Sequence, residues 1–314
     1  MKILVIGAGS IGRRHRENLQ ALGVSAELIG WRATSPEALA LRLGSGAVQG
    51  VVIATATQIR LPLIAVCARA DVPFYVEKPL AFRLSDLAQI TVIAAPVADR
   101  SLVGYMMRYH PAFRDLAQAD LSDTFRFDLA IGHDVTQWRA NWLFSQSYAA
   151  KPDGGGVLLD LCHELDMAAC LFPGLRIDGV TSLGHTAYPG VDMASRVTLS
   201  APNGASGTVA MDYLAPALIR RVTICGTRAS RDYDFAAQSY RVTDGNGPRT
   251  LPHPLERNAM FLDAMRDFLA LIAGRAPSGI DHLPRLDRVG ESCALIAQAW
   301  QDRRFTGQIT KDIA

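Results

Sequence analysis

The sequence predicts an α/β protein in which a doubly wound parallel sheet is followed by an α+β domain with an open, mainly antiparallel sheet. Three observations support this prediction. The chain starts with a buried-strand pattern that runs directly into a glycine-rich turn. Strand and helix patterns then alternate, as in parallel sheets with helical crossovers. After about residue 118 the pattern changes to runs in which apolar and polar residues alternate with period two, as in half-buried strands. We therefore predict two domains, residues 1–118 and 119–314.

The overall composition excludes several functional classes. The 32 basic and 30 acidic residues nearly balance, so no basic surface for nucleic acid is expected. Five dispersed cysteines without a Cys-x-x-Cys pair are typical of reduced, buried thiols rather than of a disulfide framework or a zinc site. No apolar run approaches the roughly 18 to 20 residues of a membrane span, and the start of the chain does not resemble a signal peptide. We expect a soluble cytoplasmic protein that binds neither nucleic acid nor a membrane.

The first strand and the turn Gly7-x-Gly9-x-x-Gly12 predict a dinucleotide site. Gly7 allows the tight turn, Gly9 lets a pyrophosphate approach the backbone, and Gly12 lets the helix pack close to the strand. The following helix, which ends near Gly23, presents unpaired N–H groups and a positive dipole end to the phosphates. A plain structural turn is the alternative. The residues predicted to bind the dinucleotide here are Gly7, Gly9, Ser10, Ile11, Gly12 and Arg13.

The end of the second predicted strand, residues 26–31, bears on the choice between NAD and NADP. An acidic residue at this position accepts hydrogen bonds from the ribose, whereas an arginine suits a 2′-phosphate. Trp31 and Arg32 occupy this position, and neither is acidic. Arg13 of the glycine turn is predicted to assist Arg32. A guanidinium group pairs well with a phosphate, although a solvated loop arginine is the alternative. The cofactor is predicted to be NADP or NAD, with NADP favoured.

The third strand is predicted over residues 51–57 and runs into a loop of small residues. Such loops lie at the carboxyl edge of the sheet, where ligands bind. Ala54, Thr55 and Thr57 are therefore predicted to contact the cofactor. A helix over 61–70 follows this loop.

The fourth strand, predicted over 72–76, ends in Glu77-Lys78-Pro79. The proline biases Lys78 towards an extended backbone, so its side chain is expected to project over the sheet edge. A lysine there would face the nicotinamide; a plain surface charge is the alternative. A helix over 84–95 and a strand over 101–106 complete the predicted sheet.

Together these motifs resemble the Gfo/Idh/MocA oxidoreductases. The resemblance rests on the glycine turn, Ala54-Thr55, Glu77-Lys78-Pro79 and Gly104-Tyr105-x-x-Arg108-Tyr109-His110-Pro111. It implies a two-domain enzyme that uses NAD(P) and acts on sugars, inositols or their derivatives. It also implies cofactor contacts for Glu77, Lys78 and Arg108 and a substrate contact for Tyr105. The sequence departs from the family pattern at Ala56 and Arg60, where the family usually has proline and histidine.

The second half contains five predicted strands, separated by turn signals such as Pro202-Asn203-Gly204. They cover 124–131, 179–185, 194–200, 207–214 and 219–226. Amphipathic helices over 258–273 and 288–300 are expected to close this second domain. The resemblance implies that its sheet mediates a homodimer or homotetramer.

A glycine-rich segment before residue 157 predicts a flexible turn into a helix that carries the catalytic groups. On that helix Asp160, His163 and Glu164 would stand at i, i+3 and i+4, on one face. A histidine between two carboxylates suits a general base, because a carboxylate fixes the tautomer and raises the basicity of the ring. We predict that His163 accepts a proton and that Asp160 and Glu164 orient it. There are two alternatives: a neighbouring carboxylate accepts the proton, or the three residues form a structural ion-pair cluster. No metal site is predicted.

The same segment resembles a sub-group of the family with the form Gly-Gly-Gly-Val-x-x-Asp-x-x-His-Glu-x-Asp. In this sequence His163 follows Asp160 by three residues, where the family usually has four. The sub-group also carries a Trp-Arg and a Tyr like Trp138-Arg139 and Tyr148, and it is associated with surface-glycan or nonulosonate sugars. These three residues are predicted to line the substrate mouth; domain packing is the alternative.

The resulting hypothesis is an oxidoreductase that transfers a hydride between a nicotinamide and a hydroxyl or keto group of a sugar-like substrate. His163 takes the hydroxyl proton and Lys78 stabilises the charge that develops on the oxygen. One alternative is a reductase similar to biliverdin reductase or dihydrodiol dehydrogenase. Another is a non-catalytic protein that senses NAD(P).

Overall fold

The computed structural model describes residues 1–138, 143–278, 281–310 and 312–313. The chain forms two compact units. The first contains Met1–His110 and Leu255–Ala294, and the second contains Pro111–Pro254 and Leu295–Ala314. This division differs from the predicted single boundary after residue 118, because a late segment of the chain belongs to the first unit.

The helices and strands follow one another along the chain. From the start to residue 110 they are β1 (Lys2–Ile6), α1 (Ser10–Ala21), β2 (Ser25–Ile29), α2 (Pro36–Gly44), β3 (Gly50–Ile53), α3 (Arg60–Arg69), β4 (Phe74–Val76), α4 (Leu84–Ala94) and β5 (Leu102–Val103). The following elements up to residue 226 are α5 (Pro111–Gln118), β6 (Thr124–Gly132), α6 (Val157–Asp160), α7 (His163–Leu171), β7 (Arg176–His185), β8 (Ala194–Ser200), β9 (Ser206–Asp212) and β10 (Ile219–Gly226). The last are β11 (Ala229–Asp234), β12 (Ser239–Asp244), β13 (Gly247–Leu251), α8 (Arg257–Ile272), α9 (Gly290–Gln301) and β14 (Arg304–Ile309).

The sheet of the first unit is parallel, as predicted. Among the described residues its five strands lie in the order β2-β1-β3-β4-β5. The interior strand β1 pairs on both sides, with Ile3 opposite both Ala26 and Gly50. Its residues from Ile3 to Ile6 are fully buried, as expected for a strand covered by helices on both faces. Strand β3 ends at Ile53, earlier than predicted, because the chain turns there to form the loop of small residues.

The sheet of the second unit is mixed and mainly antiparallel, which confirms the predicted fold class. Within the described residues it has nine strands in the order β13-β12-β11-β10-β6-β9-β8-β7-β14. Only β6–β9 and β7–β14 pair in parallel there. Strands β11 to β14 lie outside the five predicted ones. Each of these strands has at most six residues, of which no more than two are buried and apolar, so the period-two signal was weak.

Helix α8 belongs to the first unit, whereas the sequence led us to expect that it closes the second. Its Asn258 exchanges amide hydrogen bonds with Asn18 of α1, at 3.0 and 3.3 Å. The rings of Phe261 and His15 lie 6.1 Å apart, and so do those of Phe268 and Tyr75. The apolar face of α8 was therefore predicted correctly, but sequence periodicity does not identify the surface that it covers. No helix among the described residues has the length and apolarity to cross a membrane.

Candidate active site

The glycine turn between β1 and α1 has three glycines with different surroundings. Gly7 has φ +118°, and a Cβ there would lie 2.2 Å from the carbonyl oxygen of Ala54. A Cβ on Gly12 would lie 1.8 Å from the carbonyl oxygen of Gly7. Around Gly9, by contrast, no atom in the described part of the chain comes within 4 Å of that position. The outer glycines are therefore required by the protein itself, and the middle one borders open space.

This open space fits the pyrophosphate of a dinucleotide. Gly9 is the residue before α1, a helix of 12 residues, so the unpaired N–H groups of its first turn face this end. No acidic side chain stands in that first turn to oppose an anion. The side chain of Arg13 bonds back to the Ala8 carbonyl at 3.2 Å and lies on the exposed face of the turn. Ser10 and Ile11 begin the helix, as predicted.

Trp31 and Arg32 lie in a helical turn directly after β2. The guanidinium carbon of Arg32 lies 5.4 Å from the centre of the Trp31 ring, a cation–π arrangement. Both side chains are exposed at the carboxyl end of the strand. An arginine side chain that lies over an indole ring at this position is suited to bind an anionic group.

Glu77 anchors its loop to α1, and its predicted contact with the cofactor stays a prediction. Its carboxylate lies 2.7 Å from Nε2 of His15, and both side chains are almost fully buried. Burial alone would raise the pKa of Glu77, but the hydrogen bond from His15 and the charges of His15, Lys78 and Arg60 outweigh it and lower that pKa. Glu77 is thus held as a carboxylate next to Lys78. Sequence reasoning missed His15, whose signal was a polar residue on the buried face of α1.

Arg60 is a second residue that sequence reasoning did not assign to the site. It is the first residue of α3 and is only 4 % exposed. Its Nη2 lies 2.7 Å and its Nε 3.2 Å from the carbonyl oxygen of Thr55. The same guanidinium donates to the carbonyl oxygens of Glu77, Lys78 and Pro79. Ala54, Thr55 and Thr57 lie at the sheet edge, as predicted, in the loop that Arg60 joins to the half-buried Lys78.

Tyr105 and Arg108 lie in the interior of the first unit. The Tyr105 side chain is fully buried, with its hydroxyl 3.3 Å from Sγ of Cys293. Arg108 donates to the His282 carbonyl at 3.2 Å and to Oγ of Ser292 at 3.0 Å. Both residues thus connect the end of β5 to a late segment of the chain. Their predicted contacts with substrate and cofactor stay predictions.

In the second unit, the glycine-rich segment before α6 is closely packed, whereas the sequence suggested a flexible turn. Gly156 has φ +92°, and a Cβ there would lie 2.0 Å from Oδ1 of Asp192. The Asp192 carboxylate accepts from the Leu158 N–H at 2.9 Å, and the Trp300 indole donates to the Gly155 carbonyl at 3.2 Å. Burial raises the pKa of Asp192. Glycine is needed here because a carboxylate occupies the space of a side chain.

The predicted single catalytic helix is interrupted. Asp160 ends α6 and His163 begins α7, so the i, i+3, i+4 face of one helix is not formed. Leu161 leaves the helical conformation with φ −104° and ψ 30°, and regular bonding resumes with the Asp166 N–H and the Cys162 carbonyl at 3.1 Å. His163 and Glu164 are both buried. The spacing of Asp160, His163 and Glu164 in the sequence therefore does not establish that the two carboxylates orient the histidine. The orienting role of Asp160 and Glu164 stays a prediction.

The two carboxylates next to His163 are held by different partners. Asp160 accepts from the hydroxyl of Tyr148 and, at 3.1 Å, from that of Tyr213. Glu164 accepts from Nε of Arg220 at 2.6 Å. Burial and the charge of Asp160 raise the pKa of Tyr213, so its hydroxyl keeps its proton and remains a donor.

Tyr213 also brings two predicted substrate residues together, although the sequence did not single it out. The Tyr213 ring lies edge-on to Trp138, with centroids 5.5 Å apart, and its hydroxyl shares Asp160 with Tyr148. Tyr148 is 45 % exposed, so this cluster reaches the surface of the unit. Arg139, the third predicted substrate residue, lies outside the described residues. The described residues contain no group of three or more metal-ligating side chains arranged to hold an ion.

Comparison with known proteins finds relatives of the predicted family. The model of the GFO/IDH/MocA C-terminal domain matches residues 118–231, which include α6 and α7. Inositol 2-dehydrogenase 2 of Paenarthrobacter aurescens strain TC1 is 26 % identical, and the match covers 99 % of this chain and 98 % of that protein. The chain is thus similar to the Gfo/Idh/MocA proteins, as predicted, and the matched relative is a dehydrogenase.

Solved structures share the fold of this protein. An oxidoreductase from Agrobacterium radiobacter, in complex with NAD⁺, L-tartaric acid and magnesium, superposes with a TM-score of 0.78 at 17 % identity, over 96 % of each chain. UDP-N-acetylglucosamine 3-dehydrogenase from Acidithiobacillus ferrooxidans has a TM-score of 0.75 at 19 % identity, again over 96 % of each chain. At this level of identity the likeness establishes the fold and leaves the substrate open.

Proposed function

We propose that the protein transfers a hydride between NAD(P) and a hydroxyl or keto group of a sugar or sugar derivative. The observation that carries this proposal is the open space at Gly9, bounded by two glycines that the fold requires and by the first turn of α1. The backbone of the turn from Gly7 to Gly12 would hold the pyrophosphate. When bound, the dinucleotide supplies the hydride acceptor or donor.

The protein's own residues handle the proton and the charge. In the oxidative direction, His163 accepts the proton of the substrate hydroxyl. The Lys78 ammonium group stabilises the negative charge that develops on that oxygen. The proposal requires Lys78 and His163 to act on the same substrate group. Asp160 is the alternative proton acceptor, and its two tyrosine partners favour a role in holding the substrate instead.

The sugar-like substrate is supported by the side chains of the Tyr213 cluster. Trp138 offers an aromatic surface, and Tyr148 and Asp160 offer a hydroxyl and a carboxylate next to it. Apolar ring faces and hydrogen-bonding groups in this combination suit a polyhydroxylated ring. The names of an inositol dehydrogenase and a UDP-sugar dehydrogenase among the relatives are consistent with this class. We extend the proposal to a surface-glycan or nonulosonate-type sugar.

The cofactor is proposed to be NADP, with NAD as the alternative. Arg32 over Trp31 provides a cation at the end of β2, where no acidic side chain stands to accept from the ribose. The NAD⁺ complex of the Agrobacterium protein keeps NAD open for this chain.

Two further parts of the proposal concern the assembly and its compartment. We propose a homodimer or homotetramer formed through the sheet of the second unit, because Leu183 and Ile219 are exposed on its strands. None of the five cysteines, all of which lie within the described residues, forms a disulfide, which suits the reducing cytoplasm. Light scattering on a size-exclusion column tests the assembly; a monomer at all concentrations would contradict it.

The experiment that tests the function has two stages. NADP and NAD are first titrated while intrinsic fluorescence is recorded, with thermal shift as a second readout. Sugars and nucleotide sugars are then screened by the absorbance of the reduced nicotinamide. We expect tighter binding of NADP and turnover of at least one sugar-like alcohol. Failure to bind either dinucleotide would contradict the proposal, and binding without any turnover would favour a sensing protein.

A further inference from the structure

We infer that Arg60 is a positioning residue for Lys78. Its guanidinium joins the loop after β3 to the loop after β4, and in this way it sets the place of the Lys78 ammonium group. The inference rests on the proposed role of Lys78 in the reaction. It assigns a function to a position at which the chain departs from the histidine usual in its family.

The contacts of Arg60 are concentrated on three consecutive residues of the Lys78 loop. The guanidinium donates to the carbonyl oxygens of Glu77 and Pro79, and Nη2 lies 3.4 Å from that of Lys78. Nη2 and Nε of the same group reach the Thr55 carbonyl oxygen, at 2.7 and 3.2 Å. A planar guanidinium with five donors is able to make such a fork, which a single ammonium group cannot reproduce.

The buried location of Arg60 at the start of α3 costs folding free energy, and this points to a specific role. A buried cation loses its hydration, and a positive charge in the first turn of α3 opposes the helix dipole. The carbonyl oxygens of the two loops offset this cost because they accept hydrogen bonds from the charged group. A surface arginine would serve the stability of α3 at lower cost.

The residue before Lys78 is held independently. The Glu77 carboxylate lies 2.7 Å from Nε2 of His15, which is on the helix that begins at the dinucleotide turn. The backbone of Lys78 is thus fixed on one side through α1 and on the other through the Thr55 loop. Both of these elements are proposed to contact the cofactor. Arg60 therefore couples the place of Lys78 to the cofactor site without being proposed to touch cofactor or substrate itself.

The variant Arg60→Lys tests this inference, with Arg69→Lys as the matched control. Arg69 lies in the same helix, is exposed and bonds only within that helix among the described contacts, to the Ala65 carbonyl at 3.1 Å. For Arg60→Lys we expect kcat to fall on the order of tenfold to a hundredfold, because a small displacement of a catalytic group has an effect of that size. KM and the dinucleotide Kd should stay close to the wild-type values. A wild-type kcat, or a loss explained entirely by weaker dinucleotide binding, would overturn the inference.

A second readout does not need dehydrogenase activity. The chain has only four lysines, Lys2, Lys78, Lys151 and Lys311, so an amine-reactive reagent and peptide mass spectrometry can follow each one. Lys78 should be labelled faster in Arg60→Lys than in the wild type, while Lys2 and Lys151 keep their rates. Arg69→Lys should leave all rates unchanged. Arg60→Gln is measured in the same way if Arg60→Lys does not fold.

The two readouts separate failure of the inference from failure of the proposed function. A wild-type protein that turns over no substrate contradicts the proposed function, and the labelling rates still test the positioning of Lys78. An unchanged Lys78 rate in a folded Arg60 variant overturns the inference even if the protein is a dehydrogenase.

Discussion

The dinucleotide turn of the first unit and the Tyr213 cluster of the second unit are built from different groups. At the turn, backbone atoms of Ala54 and Gly7 fill the space beside Gly7 and Gly12, and the space next to Gly9 stays open. In the cluster, Asp160 is held by the hydroxyls of Tyr148 and Tyr213, which lie 12 and 53 residues away in the sequence. A backbone-built site depends on a short local motif, whereas a side-chain-built site depends on residues from separate segments.

This difference predicts how the two regions respond to mutation. Changes at the turn should act through steric clearance and so affect stability or cofactor binding. Changes in the cluster should act through hydrogen bonds and so affect the rate with a substrate. The following predictions test this contrast, from the largest expected effect to the smallest.

The largest effect on kcat is expected for Lys78→Ala. This substitution removes the side chain that is proposed to act next to the dinucleotide turn. Loss of a group that stabilises a developing oxyanion lowers kcat on the order of 10²- to 10³-fold. Steady-state kinetics and a dinucleotide titration should show a much lower kcat with a nearly unchanged Kd. The control is Lys2→Ala, which removes a half-exposed ion pair with Glu27 and should keep full activity. Full activity of Lys78→Ala would contradict its proposed role.

The glycine turn allows a direct comparison of stability with binding. Gly12→Ala should lower the free energy of unfolding by about 3 kcal/mol, because the new Cβ would overlap the Gly7 carbonyl. Gly9→Ala should leave the unfolding free energy unchanged and weaken dinucleotide binding by about tenfold, or ~1.4 kcal/mol.

Urea unfolding and fluorescence titration measure the two effects in the glycine variants. Gly44→Ala is the control, since no described atom lies within 4 Å of its Cβ position at the end of α2. Equal binding by Gly9→Ala and the wild type would show that the open space at Gly9 is not the pyrophosphate site.

In the second unit, Tyr213→Phe should reduce kcat/KM by about tenfold, because Asp160 loses one of the groups that hold it. Tyr233→Phe, in strand β11 of the same unit, is the matched control. Its hydroxyl donates to Asp115 at 2.6 Å, outside the cluster. Both variants should lose a similar stability of about 1 kcal/mol. Equal kcat/KM values for the two would remove Tyr213 from the substrate site.

The smallest effect concerns one buried carboxylate in each unit. The pKa of Glu77 is lowered below its ordinary value of 4.5, so its contribution to stability is present above pH 4.5 and is lost as the pH falls through the folded pKa. The pKa of Asp192 is raised above 3.8, so its contribution is present below pH 3.8 and is lost as the pH rises through the folded pKa. The two residues should therefore act in opposite directions.

Urea unfolding midpoints between about pH 3 and 7 measure this contrast. Glu77→Gln should remove part of the loss of stability on acidification, and Asp192→Asn should remove part of the loss on raising the pH. If both replacements change the slope of stability against pH in the same direction, the assigned environments of the two carboxylates are wrong.

The same contrast explains how much the sequence alone could predict. The order of β1, the turn and α1 was predictable because its signals lie within a few residues of one another. Lys78 was placed correctly at the end of β4 by the adjacent proline and the strand pattern. The interruption between Asp160 and His163 was not predictable from helical spacing, because it occurs within two residues.

The remaining differences arise from long-range contacts. The partner of Glu77 lies 62 residues away in α1, and the packing of α8 depends on Asn18 and Tyr75. Arg60 interacts with residues up to 19 positions later in the chain. A single sequence reports which residues are polar or apolar, and it carries no direct signal for which of them meet.

The central claim is that Lys78 and His163 act on the same substrate group. A double-variant cycle with Lys78→Ala, His163→Ala and the combined variant tests it most directly, with kcat/KM as the readout. Residues that act as one unit give strongly non-additive losses. We expect the combined variant to be no slower than the slower single variant. Losses that multiply fully in the combined variant would contradict the claim.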